Sequence, residues 1–500
     1  MKTRIHTLIS AISDQMYERQ HIIALSLLAG AAGMNTFLYG QPGTAKSLIS
    51  RRIASAFEVS EYFEYLMNRF STPEEIFGPV SIKALKEDQY IRKTEHYLPR
   101  ADFAFLDEIW KASPAILNTL LTLVNEKTFK NGDLIQQVPL KVLMSASNEI
   151  PEPDQGLDAL YDRFIMRLVV EPIAEAVNFH ALLQAKPAQA KLDIDSSLKI
   201  KKQELQDWRM QMHEVQLPER VLAVFDDIRL RLKHSFEDHQ IYVSDRRWQR
   251  AAYLLKAAAF LDQREQVLLA DLHILKHCLW SQIEEISWLE QAVNDAVDEA
   301  GLLFNSQLEA LIQEKEQLEQ QILNVFYYTD DVYESYVIGE KEYLRAVTNL
   351  DQYYKDKPMY LELNKMGTKQ DFFAADAAGE EVRGIVCNYN GTRLCTLKGG
   401  YYGLEEAVSP YIKHPKGSRR AQVSAAQTEE LKQSVLDLKA RIEADYVQQK
   451  LRFQHEAAAF ESAFVEQADI QRMQLQMTQR LERYALQQQD CLRLEQLCQS

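Results

Sequence analysis

The sequence predicts an α/β protein: a parallel-sheet core, then an all-helical domain, then a helical stalk interrupted by a small β-rich domain. Three observations carry this. Over residues 1–170 short apolar runs alternate with helix-period segments, as in a parallel sheet covered by helices. From about 171 to 300 the pattern is helical almost throughout. Beyond it, two heptad-like stretches bracket a region of strand-like runs.

In chain order, Ile5 to Ile12 and Ile22 to Leu28 read as helices. Phe37 to Tyr39, Phe103 to Leu106 and Leu140 to Ser145 read as buried strands, each running into polar residues. Active residues then belong at the carboxyl ends of those strands. In the helical domain, Pro218 precedes a segment apolar at i, i+3 and i+4, and Ser244 suits the N-cap of a helix beginning near Asp245. Leu308, Leu311, Leu318, Ile322 and Val325 form one seam, interrupted by Lys315; Leu431, Val435, Leu438, Ile442 and Tyr446 form another. Between them, Val332 to Ile338, Met359 to Leu363, Val382 to Tyr389 and Arg393 to Leu397 read as strands, with Asn390-Gly391 as a hairpin turn. Residues 451–500 are again helical.

The 500 residues carry a net charge of −15, which argues against nucleic acid or an anionic membrane as main partner. Hydrophobic content of 46% and charged content of 26% fit a soluble globular protein. Cys278, Cys387, Cys395, Cys491 and Cys498 form no Cys-x-x-Cys pair, so reduced thiols in the cytoplasm are expected. His273, His277 and Cys278 lie close together and read as helix-face residues rather than a metal site. Met1 to Ser10 is too polar for a secretory leader, and the apolar stretch Ile22 to Ala32 is too short for a membrane span.

The chemistry concentrates at a few points. Gly40-Gln41-Pro42-Gly43-Thr44-Ala45-Lys46-Ser47 lies between a strand and a helix, where backbone N–H groups can wrap phosphate oxygens. Lys46 would supply charge to the β- and γ-phosphates and Ser47 a hydroxyl for Mg²⁺; Ala45 stands where the general motif has Gly. Asp107 and Glu108 close an apolar strand about sixty residues later, one suited to Mg²⁺, the other to deprotonating an attacking water. Asn148 follows a third strand and could hold that water. Asp162-Arg163 offers either a local ion pair or an arginine projecting to a neighbour. Arg246 and Arg247 open a helix in the second domain, with Arg246 able to reach the γ-phosphate across the interdomain cleft.

With these residues in this order, the chain resembles the AAA+ ATPases and, among them, the MoxR family, with the RavA-type regulatory ATPases nearest in layout. The resemblance is carried by the Gly40–Ser47 loop, Phe105-Leu106-Asp107-Glu108, Ser145-Ala146-Ser147-Asn148-Glu149, Ala159-Leu160-Tyr161-Asp162-Arg163 and Ser244-Asp245-Arg246, with Phe70 to Pro79 as further similar text. It is specific over about residues 1–290 and looser beyond. It implies ATP and Mg²⁺ as ligands. Gly40, Gly43, Thr44, Ala45, Lys46, Ser47 and Leu48 would form Walker A, and Asp107 and Glu108 Walker B. Asn148 would be sensor 1, Arg163 an arginine finger, and Arg246, in preference to Arg247, sensor 2. Ser47 and Asp107 are the implied metal residues, and Tyr17 would meet the adenine. Residues about 70–97 correspond to a hairpin insert facing a ring pore.

The domains expected on this basis are a nucleotide-binding core over 1–185, a helical lid over 186–300, a discontinuous stalk over 301–326 and 423–500, and a β-rich partner-binding domain over 327–422. The resemblance further implies a homohexamer, a VWA-domain partner of the ViaA type, and docking of the β-rich domain on inducible lysine decarboxylase. The basic run Lys413 to Arg420 reads as a solvated loop or as a face for an acidic surface. The function expected is ATP hydrolysis in a ring that remodels partner proteins or assists their assembly. A nucleic-acid motor or loader of the same fold, and a nucleotide-independent scaffold, are the alternatives.

Overall fold

The computed structural model describes residues 1–499 except 59–60, 152–156, 190–191, 235–240, 305–306, 351, 367, 369, 390–394 and 400–402. Seven strands lie in the first 170 residues: β1 (Asn35–Tyr39), β2 (Tyr62–Leu66), β3 (Phe103–Asp107), β4 (Thr128–Asn131), β5 (Leu134–Gln137), β6 (Val142–Ser147) and β7 (Phe164–Val169). Five form one sheet in the order β2-β3-β6-β1-β7, parallel at every pairing. The central strands β3, β6 and β1 are buried along almost their whole length because both faces are covered, while the edge strand β2 is partly exposed. Leu38, Phe105 and Met144 face the core made with helices Lys2–Ile12, Gln20–Ala32 and Lys46–Ser55. Their neighbours Phe37, Leu106 and Leu143 face a second core built on helix Pro114–Glu126.

One local expectation changes. Residues 73–94 hold the short helices Pro73–Phe77 and Ile82–Leu85 and one antiparallel bridge, Val80 to Arg92, rather than a two-stranded hairpin. Thr72 and Glu75 close a capping box at the first of these helices. The hairpin instead lies later, in β4 and β5, with Leu134 and Ile135 exposed.

The helical part comprises Lys202–Glu214, Glu219–His234, Asp245–Leu261, the 3-10 stretch Leu269–His277 and Ile286–Ala296. Its Trp208, Leu254, Leu272 and Leu275 join the first core, as do Phe453, Phe464, Ile470 and Met473 from a segment far along the chain. Two compact units result: Met1–Ser306 with Gln448–Leu481, and Gln307–Val447 with Glu482–Ser500. The stalk segment expected over 423–500 is therefore shared between them.

In the second unit, Leu311, Leu318 and Ile322 pack with Val435, Leu438 and Ile442 and with Tyr484, Cys491 and Leu494. Three helical stretches form this bundle, from Leu308–Phe326, Ala425–Glu456 and Gln467–Gln499. Lys315, the polar break in the seam, donates to Gln487 Oε1 at 2.7 Å and to Asp490 Oδ2 at 2.6 Å. Its charge is thus partnered inside the bundle.

The inserted β region holds β8 (Val332–Tyr333), β9 (Ser335–Ile338), β10 (Lys341–Thr348), β11 (Lys357–Glu362), β12 (Phe372–Ala375), β13 (Glu381–Tyr389), β14 (Cys395–Gly399), β15 (Leu404–Val408) and β16 (Ile412–His414). Strands β9 to β15 form a seven-stranded sheet in sequential order, a meander. It curls, since Thr348 at the end of β10 donates to Glu406 of β15 at 2.6 Å. The turn expected at Asn390-Gly391 lies outside the described residues; the strands flanking it pair with Tyr389 opposite Cys395. The basic run joins the neck of this insertion. Arg420 N donates to Phe326 O at 2.8 Å, His414 stacks on Tyr328 at 4.6 Å, and Arg419 lies over Phe326. Lys413 and Lys416 stay exposed.

Candidate active site

The loop after β1 turns tightly beside β6 and β7. Gly40 N donates to Ser147 O at 3.1 Å, and a Cβ on Gly40 would stand 2.4 Å from Val170 O. Only glycine fits that approach. Gly43 takes φ +86° with open space around it. Ala45 is left-handed as well, at φ 71°, and is the N-cap of helix Lys46–Ser55. That conformation costs a non-glycine residue on the order of 1 kcal/mol, which explains why the general motif prefers Gly there.

Lys46 Nζ donates to Gly40 O at 2.6 Å and Gln41 O at 2.9 Å. Burial holds its pKa below the ordinary lysine value, opposed by the charges of Asp107 and Glu108. Ser47 Oγ donates to Asp107 Oδ2 at 3.3 Å. Burial, and secondarily the charge of Glu108, raises the Asp107 carboxyl above the usual range. A cation between Ser47 and Asp107 would relieve that penalty, so this donor set fits Mg²⁺. Glu108 has φ 53° and ψ 40°, a conformation such residues keep when the surroundings impose it. Its Oε2 lies 3.0 Å from Lys111 Nζ and accepts from Ser147 Oγ at 3.4 Å. Asn148 Oδ1 is sheltered and has no hydrogen-bond partner among the described residues. An orphaned acceptor beside this loop fits a role in holding water or phosphate.

Tyr17 is half-buried in the turn between the first two helices, not on a helix. That turn is tied to the residues after β7: Glu18 accepts from Ala174 N and Glu175 N at 2.9 Å each. Since Val170 abuts Gly40, Tyr17 stands on the phosphate-loop side of the sheet.

The arginines lie elsewhere. Arg163 immediately precedes β7, and its carbonyl accepts from Asn35 Nδ2 at the start of β1. Its guanidinium bonds Asn125 Oδ1 and Ala159 O at 2.7 Å. Arg163 and Arg246 line one cavity of about 460 Å³ with Asn35, Lys127 and Arg250. Arg163 is held below its ordinary pKa by burial and then by the charge of Arg246, and burial brings Lys127 down to about 8. This pocket opens at the amino ends of β1 and β7, whereas the phosphate loop begins at the carboxyl end of β1. The strand separates them by about 13 Å. Arg246, expected to reach across the interdomain cleft, here lines the pocket at the amino end of β1.

Asp162 does not pair with Arg163. It takes Arg247, whose Nη2 lies 3.0 Å from Asp162 Oδ1 and whose Nη1 reaches Leu279 O at 3.1 Å and Ser281 Oγ at 3.0 Å. Ser244 caps the helix by accepting from Arg247 N at 3.1 Å and also donates to Asp162. Arg247 is buried and occupied with holding the lid, while Arg246 is exposed.

A family model described as the MoxR domain in the MoxR-vWA-beta-propeller ternary systems matches residues 3–210, and one described as an AAA lid domain matches 220–293. Two uncharacterized proteins of Methanocaldococcus jannaschii are similar. One is 39% identical over 287 residues, 57% of this chain and 72% of its own. The other is 38% identical over 275 residues, 55% of this chain and 70% of its own. The chain belongs to the MoxR family of AAA+ ATPases. A crystal structure from Cytophaga hutchinsonii aligns with a TM-score of 0.47 and 18% identity, covering 59% of this chain and 94% of that one.

In this MoxR-family chain the structure brings Gly40 to Leu48, Asp107, Glu108 and Asn148 together, and places Arg163 with Arg246 at the other end of the strand. Sequence reasoning missed Lys111 and Ser147 on Glu108, and Lys127 and Arg250 beside the arginines. A lysine three residues beyond an acid is a usable signal for the first; nothing in the spacing marks the others. It also missed Arg167, fully buried and donating to Phe164 O at 2.9 Å and Tyr161 O at 3.0 Å.

Proposed function

We propose that this chain hydrolyses ATP at sites shared between neighbours in a homohexameric ring, and uses the cycle to remodel partner proteins or assist their assembly. The observation that carries it is the division of one catalytic set between the two ends of β1. In this reading the Gly40–Ser47 amides and Lys46 hold the phosphates, with Gly43, Thr44, Ala45 and Leu48 shaping the loop and Tyr17 against the base. Ser47 and Asp107 hold Mg²⁺, which when bound supplies counter-charge to the β- and γ-phosphate oxygens. Asn148 positions water and Glu108 takes its proton. Arg163, with Arg246 beside it, meets the γ-phosphate of the next subunit.

The family model's description supports a VWA-domain partner. The curled β domain on a helical bundle supports a RavA-type layout, and docking on inducible lysine decarboxylase has only that layout in its favour. Five free, buried cysteines suit a cytoplasmic setting, and no helix among the described residues is long and apolar enough to cross a membrane.

The test is phosphate release by Lys46→Ala and Arg163→Ala chains, alone and mixed before assembly. Each alone should be inactive. The mixture should recover activity, because the intact loop of one variant meets the intact arginine of the other. Failure of the mixture to recover overturns the shared site; full turnover by Lys46→Ala alone overturns the ATPase reading.

A further inference from the structure

Three side chains distant in sequence, none of them in the phosphate-loop set, converge in the first unit. His21 lies on helix Gln20–Ala32, His277 ends the stretch Leu269–His277, and Glu466 immediately precedes helix Gln467–Gln499. Each offers one ligand atom, and the three atoms lie within 4.8 Å of one another. His21 Nε2 is 3.4 Å from Glu466 Oε1, and His277 Nε2 is 3.8 Å from the same oxygen. Ligands about 2.1 Å from a tetrahedral zinc ion stand roughly 3.4 Å apart. The separations are thus already near those an ion would impose.

We propose that His21, His277 and Glu466 form a binding site for a divalent transition metal, with zinc as the fitting ion and water at the fourth position. Two imidazoles with one carboxylate are a nitrogen-rich set that suits zinc over magnesium or calcium.

The surroundings support a metal over a bare ion-pair cluster. His277 Nε2 is sheltered from solvent and makes no hydrogen bond among the described residues, a costly state for a buried polar atom. The other Glu466 oxygen, Oε2, is held by Lys276 Nζ at 3.0 Å, which orients Oε1 toward the rings. Lys276 also pairs with Asp469 at 3.0 Å and Glu290 at 3.6 Å, so acids outnumber the one ammonium here. Cys278 takes no part: its Sγ donates to Ile274 O at 3.5 Å.

The test uses tag-free full-length protein, stripped with a chelator and kept in excess Mg²⁺ without nucleotide, so that the Ser47–Asp107 site is masked. Zn²⁺ should bind with a stoichiometry of about one, and saturating Zn²⁺ should raise the unfolding midpoint by about 3 °C or more. Co²⁺ should give the visible absorption of a four-coordinate site. His21→Ala and Glu466→Gln, both at partly exposed positions, should lose these signals while keeping wild-type circular dichroism. His180→Ala, at an exposed histidine, should keep them. Absence of stoichiometric Zn²⁺ binding, or binding unchanged in both His21→Ala and Glu466→Gln, overturns the proposal. Neither outcome bears on ATP hydrolysis.

Discussion

The two ends of strand β1 carry opposite chemistry on one short element. At its carboxyl end, backbone amides, one buried lysine and two carboxylates surround a loop built for phosphate. At its amino end, Arg163, Arg246, Arg250 and Lys127 line a cavity whose one acid, Asp162, is already paired with Arg247. The first end is well satisfied internally, with Lys46 on two carbonyls and Ser47 on Asp107. The second gathers cations: burial, and then the charge of Arg246, lowers the pKa of Arg163, a cost that an anion would relieve. The difference matches the proposed shared site, in which one end would receive a nucleotide and the other would complete a neighbour's.

That contrast can be broken or sharpened in sequence. Lys46→Ala should have the largest effect, losing both ATP binding, read by fluorescent-nucleotide titration, and turnover. Arg163→Ala should leave nucleotide affinity near wild type and lower turnover by roughly 10³-fold or more; equal loss of affinity and turnover would place Arg163 at its own chain's nucleotide. Glu108→Gln should keep ATP binding and lower turnover roughly 10²- to 10⁴-fold. Arg247→Ala should act on the fold, losing about 2–3 kcal/mol in denaturant unfolding because Asp162 is stranded, whereas Arg246→Ala should leave stability unchanged and slow turnover. Ala45→Gly should be the mildest, stabilising by about 1 kcal/mol or less through relief of the positive φ, with turnover retained.

Much of the phosphate end is legible in the sequence because loop, strand and acid follow one another at short range. The family resemblance then supplies the arginines by order, but not their place. Nothing local in Asp245-Arg246-Arg247 says which arginine is buried; Asp162, Leu279 and Ser281 decide that from other elements. Strand β7 is obscured because Arg167 interrupts an apolar run, and only the carbonyls of Phe164 and Tyr161 make that burial tolerable. The heptad seams of Leu308–Phe326 and Ala425–Glu456 are readable, while the contribution of Tyr484, Cys491 and Leu494 to the same bundle is not. Their helix is rich in Gln, and Leu475, Leu486 and Leu492 stay exposed, so its apolar residues mark no single seam. Strands β10 and β12 are missed because Lys341, Glu342 and Arg345 break up the apolar residues of the first and the second is only four residues long. The His21–His277–Glu466 cluster is invisible at the level of spacing, and the nearby His273 and Cys278 draw the eye to the wrong partners.

The return of residues 448–481 to the first unit has a consequence for synthesis. A ribosome releases Met1–Ser306 first, and Phe453, Phe464, Ile470 and Met473, which complete the apolar core of that unit, emerge only after residues 307–447. At ordinary elongation rates the interval is roughly ten to thirty seconds. For that time the lid side of the nascent ATPase stands unfinished, with greasy surface open to other chains. A chain that stalls or is cut within the insertion is left with a nucleotide loop already formed and no lining to shelter its helical half. Such fragments should be sticky and quickly cleared, which would keep half-built chains from competing with complete ones.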